Sequence, residues 1–410
     1  MLIWILALVL LGSCGFIGFS LGVLRSGISL IGLILGALLA WPLGHLVNPV
    51  LGLTGLKNPI IIWFLGPFVV FCIILIIFKV IGMAVHHKVD VYYKYKAGDL
   101  RMGLWNRLNA RLGLCAGVAN GAVYLILICA VIYVFSYATV QIASDDSASW
   151  MVKLLNTAGK SVESTGMNKV AAAIDPLPGN YYEAVDLLGL IYHNDLLEGR
   201  LAHYPAFLAM GERSEFQEIG KDKEFTEMRQ RQAPLSEILN HPKAQNIVNN
   251  PDMLKEIWAL VEPNLKDLHQ YLTTGKSDKY DDEPILGRWN LDTGRSLFVF
   301  KQSKPNVGSV EMAIVRHMVE LMFSKTTLVA TPAPDKLAYL KNFGKPKAPD
   351  KPRTLPTAVD LETFQGHWDG GAGKYEFSFA DQKHKLEATV EGDRMTITGE
   401  PYPIVFEKEY

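Results

Sequence analysis

The sequence predicts a membrane α-helical bundle of four transmembrane helices, followed by extracytoplasmic α-helical and small antiparallel β domains, an α+β arrangement. Three observations lead there. The first 144 residues hold four long runs without Asp, Glu, Lys or Arg. They are also basic: Arg25, Lys57, Lys79, Lys88, Lys94, Lys96, Arg101, Arg107 and Arg111 face only Asp90 and Asp99, a balance of +7 that leaves −8 for the rest of a chain whose net charge is −1. Past residue 280, a Gly-x-Trp pattern occurs twice.

The uncharged runs are Met1–Leu24, Ser26–Leu56, Asn58–Phe78 and Leu112–Ser144. A helix needs about 20 apolar residues to cross a hydrocarbon core, so helices are expected at 2–24, 28–50, 60–84 and 112–139 within a transmembrane domain 1–144. The first run lacks the charged start of a signal peptide and is longer than its apolar stretch, so it reads as a retained helix. Six Lys/Arg against two Asp fall in the third inter-helix segment, 86–111. Basic segments stay cytoplasmic, which places both termini and everything after about residue 145 on the extracytoplasmic side; under the resemblance given below, that is the periplasmic side of a bacterial inner membrane. Tyr92, Tyr93, Tyr95 and Trp105 in that segment also suit a helix lying on anionic lipid, beside the plainer reading of an ordinary basic loop. Cys14, Cys72, Cys115 and Cys129 all fall inside the apolar runs, leaving no disulfide framework for the exported part.

"RLGLCAGVANGAVYLIL" (111–127) places Gly113, Gly117 and Gly121 four apart, with Asn120 among them. Each interior glycine costs a helix in water about 1 kcal/mol against alanine. In lipid, small residues at this spacing form a strip on which a neighbouring backbone rests. Gly18 and Gly22, with Gly15 nearby, and Gly32 and Gly36, followed by Ala40, repeat the spacing. These glycines and Asn120 are the candidate helix-packing residues. The stretch "GFIGFSLGVLRSGISLIGLILGALLAWPLG" (15–44) resembles the opening of the CvpA (colicin V production) family, and "NARLGLCAGVANGAVYLIL" (109–127) looks like that family's last helix. The resemblance covers roughly residues 1–140. It implies an inner-membrane protein of the bacterial envelope, linked to toxin export or envelope homeostasis, and some relatives carry a large extracytoplasmic domain after the fourth helix. Asn120 stands where a basic residue is expected in some relatives.

Residues 145–185 read as a juxtamembrane linker with "DPLPGN" (175–180) as a turn cluster, and 186–280 as a helical extracytoplasmic domain with apolar positions three and four apart. "FQEIGKDKEF" (216–225) and "AQNIVNNPDM" (244–253) echo each other at a period of 28, which suggests helical hairpins. "ILGRWNLDTGRSLFVF" (285–300) then aligns with "FQGHWDGGAGKYEFSF" (364–379) through Gly-x-Trp-x4-Gly-x3-Phe-x-Phe. Both fit strand, turn, strand, with the two Phe rings on one face. That divides the remainder into a first Gly-x-Trp β/α unit (281–343), a Pro-rich linker (344–358) and a second Gly-x-Trp β meander (359–410). The meander is similar to part of a lipocalin-like barrel. Trp289, Phe298, Phe300, Trp368, Phe377 and Phe379 are the candidate partner or ligand surface.

Chemistry is sparse. "GFSLG" (18–22) has the letters of a nucleophile elbow but lies in an apolar helix rather than a strand-to-helix turn. His193, His203, His241, His269, His317, His367 and His384 form no metal-ligand spacing. "DKYDDEP" (278–284) lacks the spacing of a calcium loop. Neither an enzyme activity nor a cofactor, metal or nucleic-acid partner is expected. The apolar runs also lack the ionisable groups of a coupled transporter. The expected role is a non-enzymatic scaffold or export accessory, a homo-oligomer or subunit of a membrane complex with a periplasmic protein partner. The alternative is a passive pore or lipid path that uses the β module as an apolar ligand site.

Overall fold

The computed structural model describes residues 2–56, 58–96, 99–142, 150–347, 355–379, 385–398 and 403–409. The chain divides into two compact units, 1–193 with 228–259, and 194–227 with 260–410.

In the first unit, α1 (Leu2–Leu21), α2 (Val23–Leu43), α4 (Pro59–Lys96) and α5 (Asp99–Ile142) are, among the described residues, the four helices long and apolar enough to cross a membrane. Large apolar side chains such as Leu8, Phe16, Leu38 and Ile76 stand exposed on them, as on membrane helices that are apolar on their outer as well as their packed faces. Pro42 near the end of α2 is followed by a short 3-10 turn and α3 (Asn48–Leu53). The basic segment 86–111 is neither a loop nor a separate surface helix. α4 stays helical to Lys96 and α5 begins at Asp99, so the basic residues ride on a helical hairpin that prolongs the bundle.

The other end differs from the expected linker. Ile3 of α1 packs against Cys129 of α5, and α5 runs on to Ile142, about 20 Å further at 1.5 Å per residue. That overhang is clothed by α6 (Trp150–Ser164), α7 (Met167–Ala173) and α8 (Gly179–Tyr192). Its side chains are polar enough to need partners. Tyr137 and Gln141 donate to Asp186 Oδ1 at 2.6 and 3.1 Å, and Thr139 Oγ1 bonds Asn156 Oδ1 at 2.6 Å. The absence of charge from the fourth run conceals this change of surroundings. α13 (Leu235–Asn240) and α14 (Pro242–Val248) complete the unit with the last three residues of α12 (Lys223–Gln230) and most of α15 (Pro251–Val261); Tyr192 donates to Ala233 O at 3.0 Å to hold that return segment.

The second unit contains α9 (Asp195–His203), α10 (Leu208–Gly211), α11 (Ser214–Gly220), the start of α12 (Lys223–Gln230), the end of α15 (Pro251–Val261), α16 (Leu265–Thr274) and a closed antiparallel barrel. The period of 28 has a structural counterpart. In each copy a short helix ends and an Asx residue caps the next: Asp222 accepts from Phe225 N at 3.1 Å, and Asn250 from Met253 N at 3.2 Å.

The barrel strands are β1 (Gly287–Leu291), β2 (Thr327–Ala330), β3 (Leu337–Pro346), β4 (Val359–Gly371), β5 (Lys374–Phe379), β6 (Leu386–Glu391), β7 (Arg394–Thr398) and β8 (Ile404–Lys408). Each pairs with its chain neighbour and β8 closes on β1. The two Gly-x-Trp units are therefore parts of one barrel. The expected linker 344–358 is the end of a hairpin: Pro346 pairs with Val359 across β3 and β4, while 348–354 lie outside the described residues. α17 (Thr293–Ser303) and α18 (Ser309–Phe323) fill the connection between β1 and β2. Trp289, Leu328, Phe377, Met395 and Phe406 are among the side chains that pack the interior, as eight strands leave just enough room for.

Candidate functional site

The glycines meet backbone. A Cβ built on Gly18 would overlap Gly113 O and the main chain of Gly117; one on Gly117 would overlap Cys14 O; one on Gly121 would lie 2.9 Å from Leu10 O. Side-chain carbons in real structures do not approach oxygens so closely, so only glycine lets α1 and α5 lie together here. Gly113 faces the main chain of Gly22. α2 and α4 use the same device against rings: Gly32 meets Phe78 and Gly36 meets Phe71. All of these faces are filled from within the chain, so a homo-oligomer must use other surfaces.

Gly22 serves a turn rather than a helix face. Its φ is +82°, a conformation that glycine adopts at no steric cost, and it separates α1 from α2. Asn109 of α5 holds this turn, its Oδ1 accepting from Val23 N at 2.8 Å. The first free N–H of α2 is thereby satisfied by another helix. Asn120 donates to Ser26 O on α2 at 2.9 Å and to Ala116 O at 3.1 Å, and is buried. At the opposite end of α1, Ile3 N donates to Ser161 Oγ of α6 at 3.3 Å. Sequence reasoning missed Asn109 and Ser161. The first was visible only as a polar residue beside a glycine-rich helix, and the second gave no signal.

An aromatic group lies where α5 meets its covering helices. Trp63, Phe64, Phe135, Tyr181 and Tyr182 form successive ring contacts with centroids 4.8 to 6.2 Å apart. Tyr181 donates to Val134 O at 3.1 Å and Tyr182 to Asp175. Burial, then the Asp175 carboxylate, pushes both phenols above their ordinary range.

In the second unit the six aromatic candidates separate. Trp289 and Trp368 are buried inside the barrel, and each indole N–H is satisfied at 2.8 Å, by Ile285 O and Thr331 O. Phe377 and Phe379 stack in the same core. Phe300 is buried between α17 and α18, whereas Phe298 is 48% exposed beneath the Arg295 guanidinium. Together they form no surface. The cause is local: in the first copy Asp292 Oδ1 accepts from Arg295 N at 2.8 Å and starts a helix, where a second strand was expected. In the second copy Ala372 and Gly373, with φ of +53° and +83°, make a tight hairpin instead; two such residues suit a hairpin turn.

Two polar clusters in this unit escaped the sequence. Glu212, after α10, is almost fully buried and held by Arg288 of β1 at 2.9 Å and by Lys341 of β3. Tyr204 is also fully buried, donating at 2.7 Å to Asp267; burial and then this bond push its phenol well above the usual range. Neither cluster has a local sequence pattern, because its members come from distant segments. Ser20 of "GFSLG" donates to Phe16 O within α1 at 3.0 Å. His367 Nδ1 lies 3.0 Å from Asp335 O, and His384 lies outside the described residues. No group of three or more His, Cys, Asp or Glu could hold a metal ion among the described residues.

With this geometry in view, the comparison with known families is specific to the first unit. Residues 4–159 match the family model of the Colicin V production protein. The match starts in α1 and runs into α6, so it takes in the glycine seam, the Gly22 turn and the first helix covering the overhang of α5. It is the family that the glycine-spaced stretches resemble, and the N-terminal part is CvpA-like. No curated protein and no solved structure matches the chain.

Proposed function

We propose that this CvpA-like chain is a non-enzymatic scaffold or accessory of the bacterial inner membrane, serving envelope homeostasis or toxin production and export. Both termini then lie on the periplasmic side, and the barrel unit binds a protein partner there. The carrying observation is the charge division: the α4–α5 hairpin concentrates the basic residues at one end of the bundle, while the acidic remainder follows α5 from the other. Cytoplasmic retention of basic segments sets that orientation. The filled barrel supports partner binding over the lipid-handling alternative, which needs an apolar cavity. Alkaline phosphatase fused after residue 410 is expected to be active, and green fluorescent protein at the same place dark; the reverse result removes the periplasmic reading. Photo-crosslinking from Phe298 in native membranes is expected to capture one defined protein. Capture of lipid alone counts for the alternative.

A further inference from the structure

The cover on α5 turns back towards the bundle before it leaves it. α6 lies antiparallel to α5, and its contacts step along that helix. Asn156 Oδ1 meets Thr139 Oγ1 at 2.6 Å, Gly159 passes Ser136 so closely that a Cβ would overlap its side chain, and Val162 packs with Cys129 and Ile3. From Thr139 to Cys129 that is a descent of about 15 Å. α7 follows at the bottom, where Met167 joins the same apolar group beside Leu6 and Leu125. α8 then climbs again: Tyr181 donates to Val134 O at 3.1 Å, Asp186 accepts from Tyr137 at 2.6 Å, and His193 Nε2 lies 2.9 Å from Gln141 O.

The floor of this excursion is level with one end of α1. That helix has 20 residues, roughly 30 Å at the helical rise and so about the thickness of a hydrocarbon core. Its first turn therefore sits at a hydrocarbon edge, and Trp4, exposed in that turn, is a residue type that favours this level. Val162 and Met167 meet α1 there through Ile3, whose N–H also donates to Ser161 Oγ. On α7, Val170 and Ile174 stand one helical turn apart and are 39% and 45% exposed. Ala173 between them and Lys169 beside Val170 are exposed as well. Headgroups extend only about 5–8 Å past the hydrocarbon on each side. Met151, exposed at the start of α6, is about 16 Å above Val162 and stands clear of them.

We propose that α7 is an interfacial helix resting on lipid in the leaflet opposite the basic hairpin, with Val170 and Ile174 at the boundary of headgroups and acyl chains and the Lys169 ammonium at the phosphates. Apolar groups on one face with a lysine at its border are what such a helix presents to a membrane surface, and the lysine stem carries its charge out to the headgroups. Lipid is the occupant because the patch lies level with the exposed apolar surface of α1 at Trp4 and Ile5, next to which Met167 packs. The cover is thereby tied to the membrane at its lowest point, which keeps α6 and α8 against the overhang of α5. The proposal rests on the four helices crossing a membrane and holds whichever side faces the cytoplasm.

The test places the photo-crosslinker benzoylphenylalanine singly at Val170, Ile174, Leu8 and Met151 of the full chain, in nanodiscs of phosphatidylethanolamine and phosphatidylglycerol, and reads adducts by intact-mass spectrometry. Leu8, exposed on α1, reports whether the bundle is in lipid at all. Lipid adducts are expected at Val170 and Ile174 as at Leu8, and are expected to be lost at Met151. Adducts at Leu8 with none at Val170 and Ile174 overturn the interfacial helix and leave the transmembrane helices standing; no adduct at Leu8 removes the membrane reading beneath both. Lipid capture at Met151 equal to that at Val170, or capture of a second copy of the chain at Val170 in place of lipid, also overturns the proposal. Should one α7 variant lose its cooperative unfolding transition, the other carries the test. Lys169→Glu is expected to lower the share of the anionic phosphatidylglycerol among the Val170 adducts, and an unchanged share overturns the placement of the ammonium.

Discussion

In the α1–α5 seam, two segments meet where side chains are missing; in the barrel, eight strands enclose some of the largest side chains of the chain. Both interfaces are closely packed, and their opposite compositions follow from what surrounds them. Lipid offers no gain for hiding a large apolar group from it, so helices associate through close approach and small residues. Water rewards burial of each ring by its area, so the barrel gathers Trp289, Trp368 and Phe377. The same residue class thus plays opposite parts: bulky apolar groups point outward from α1 and α2 and inward from β1 to β8.

Substitutions at the two interfaces test that contrast. Gly117→Leu places a branched side chain against Cys14 O, where only main chain could yield, and is expected to cost above about 5 kcal/mol. Thermal unfolding in detergent should show loss of the cooperative transition, while Gly12→Leu, on α1 with nothing near it, leaves it unmoved. Equal tolerance of both would remove the seam. Next, Trp368→Ala empties part of the barrel and strands the Thr331 carbonyl, at about 3–5 kcal/mol. Phe298→Ala, at the position that aligns with the buried Phe377, should stay within about 0.5 kcal/mol; a loss of several kcal/mol there would mean that the two copies fold alike after all.

Polar groups sharpen the contrast at a smaller scale. Tyr204→Phe should cost about 1–1.5 kcal/mol by denaturant unfolding, against about 0.6 kcal/mol for Asn120→Ala in the bundle. The tyrosine also carries a pH signature. Because its phenol is raised above the unfolded value, the stability it confers is complete below about pH 10 and lost as the pH climbs further. Tyr204→Phe should blunt that alkaline loss, and an unchanged alkaline limb would show that the hydroxyl is not buried.

What could be read in advance differs between the regions for the same reason. Four helices, the glycine seam and the strands of the second Gly-x-Trp meander follow from local patterns: lack of charge, spacing by four, alternation; the end of β3, expected as a linker, does not. Gly117 needs only its own helix to be recognised. The Gly-x-Trp alignment was also local, and it correctly found β1, yet it misassigned Phe298 and Phe300 because one capping aspartate, Asp292, outweighs the Phe alternation. The overhang of α5 was read as lipid-embedded since Tyr137, Thr139 and Gln141 are uncharged; their partners Asp186 and Asn156 come from later helices. The group around Glu212 exists only once β1, β3 and α10 have been brought together, and no stretch of sequence contains it.

One consequence of α5 reaches beyond packing. Its 44 residues form a single α-helix free of proline, roughly 66 Å long at the usual rise, gripped by α1 midway and wrapped by α6, α7 and α8 at the tip. With no proline along it, one unbroken helix joins the basic hairpin to the cover that α6, α7 and α8 form, so the two ends of the bundle share a single backbone.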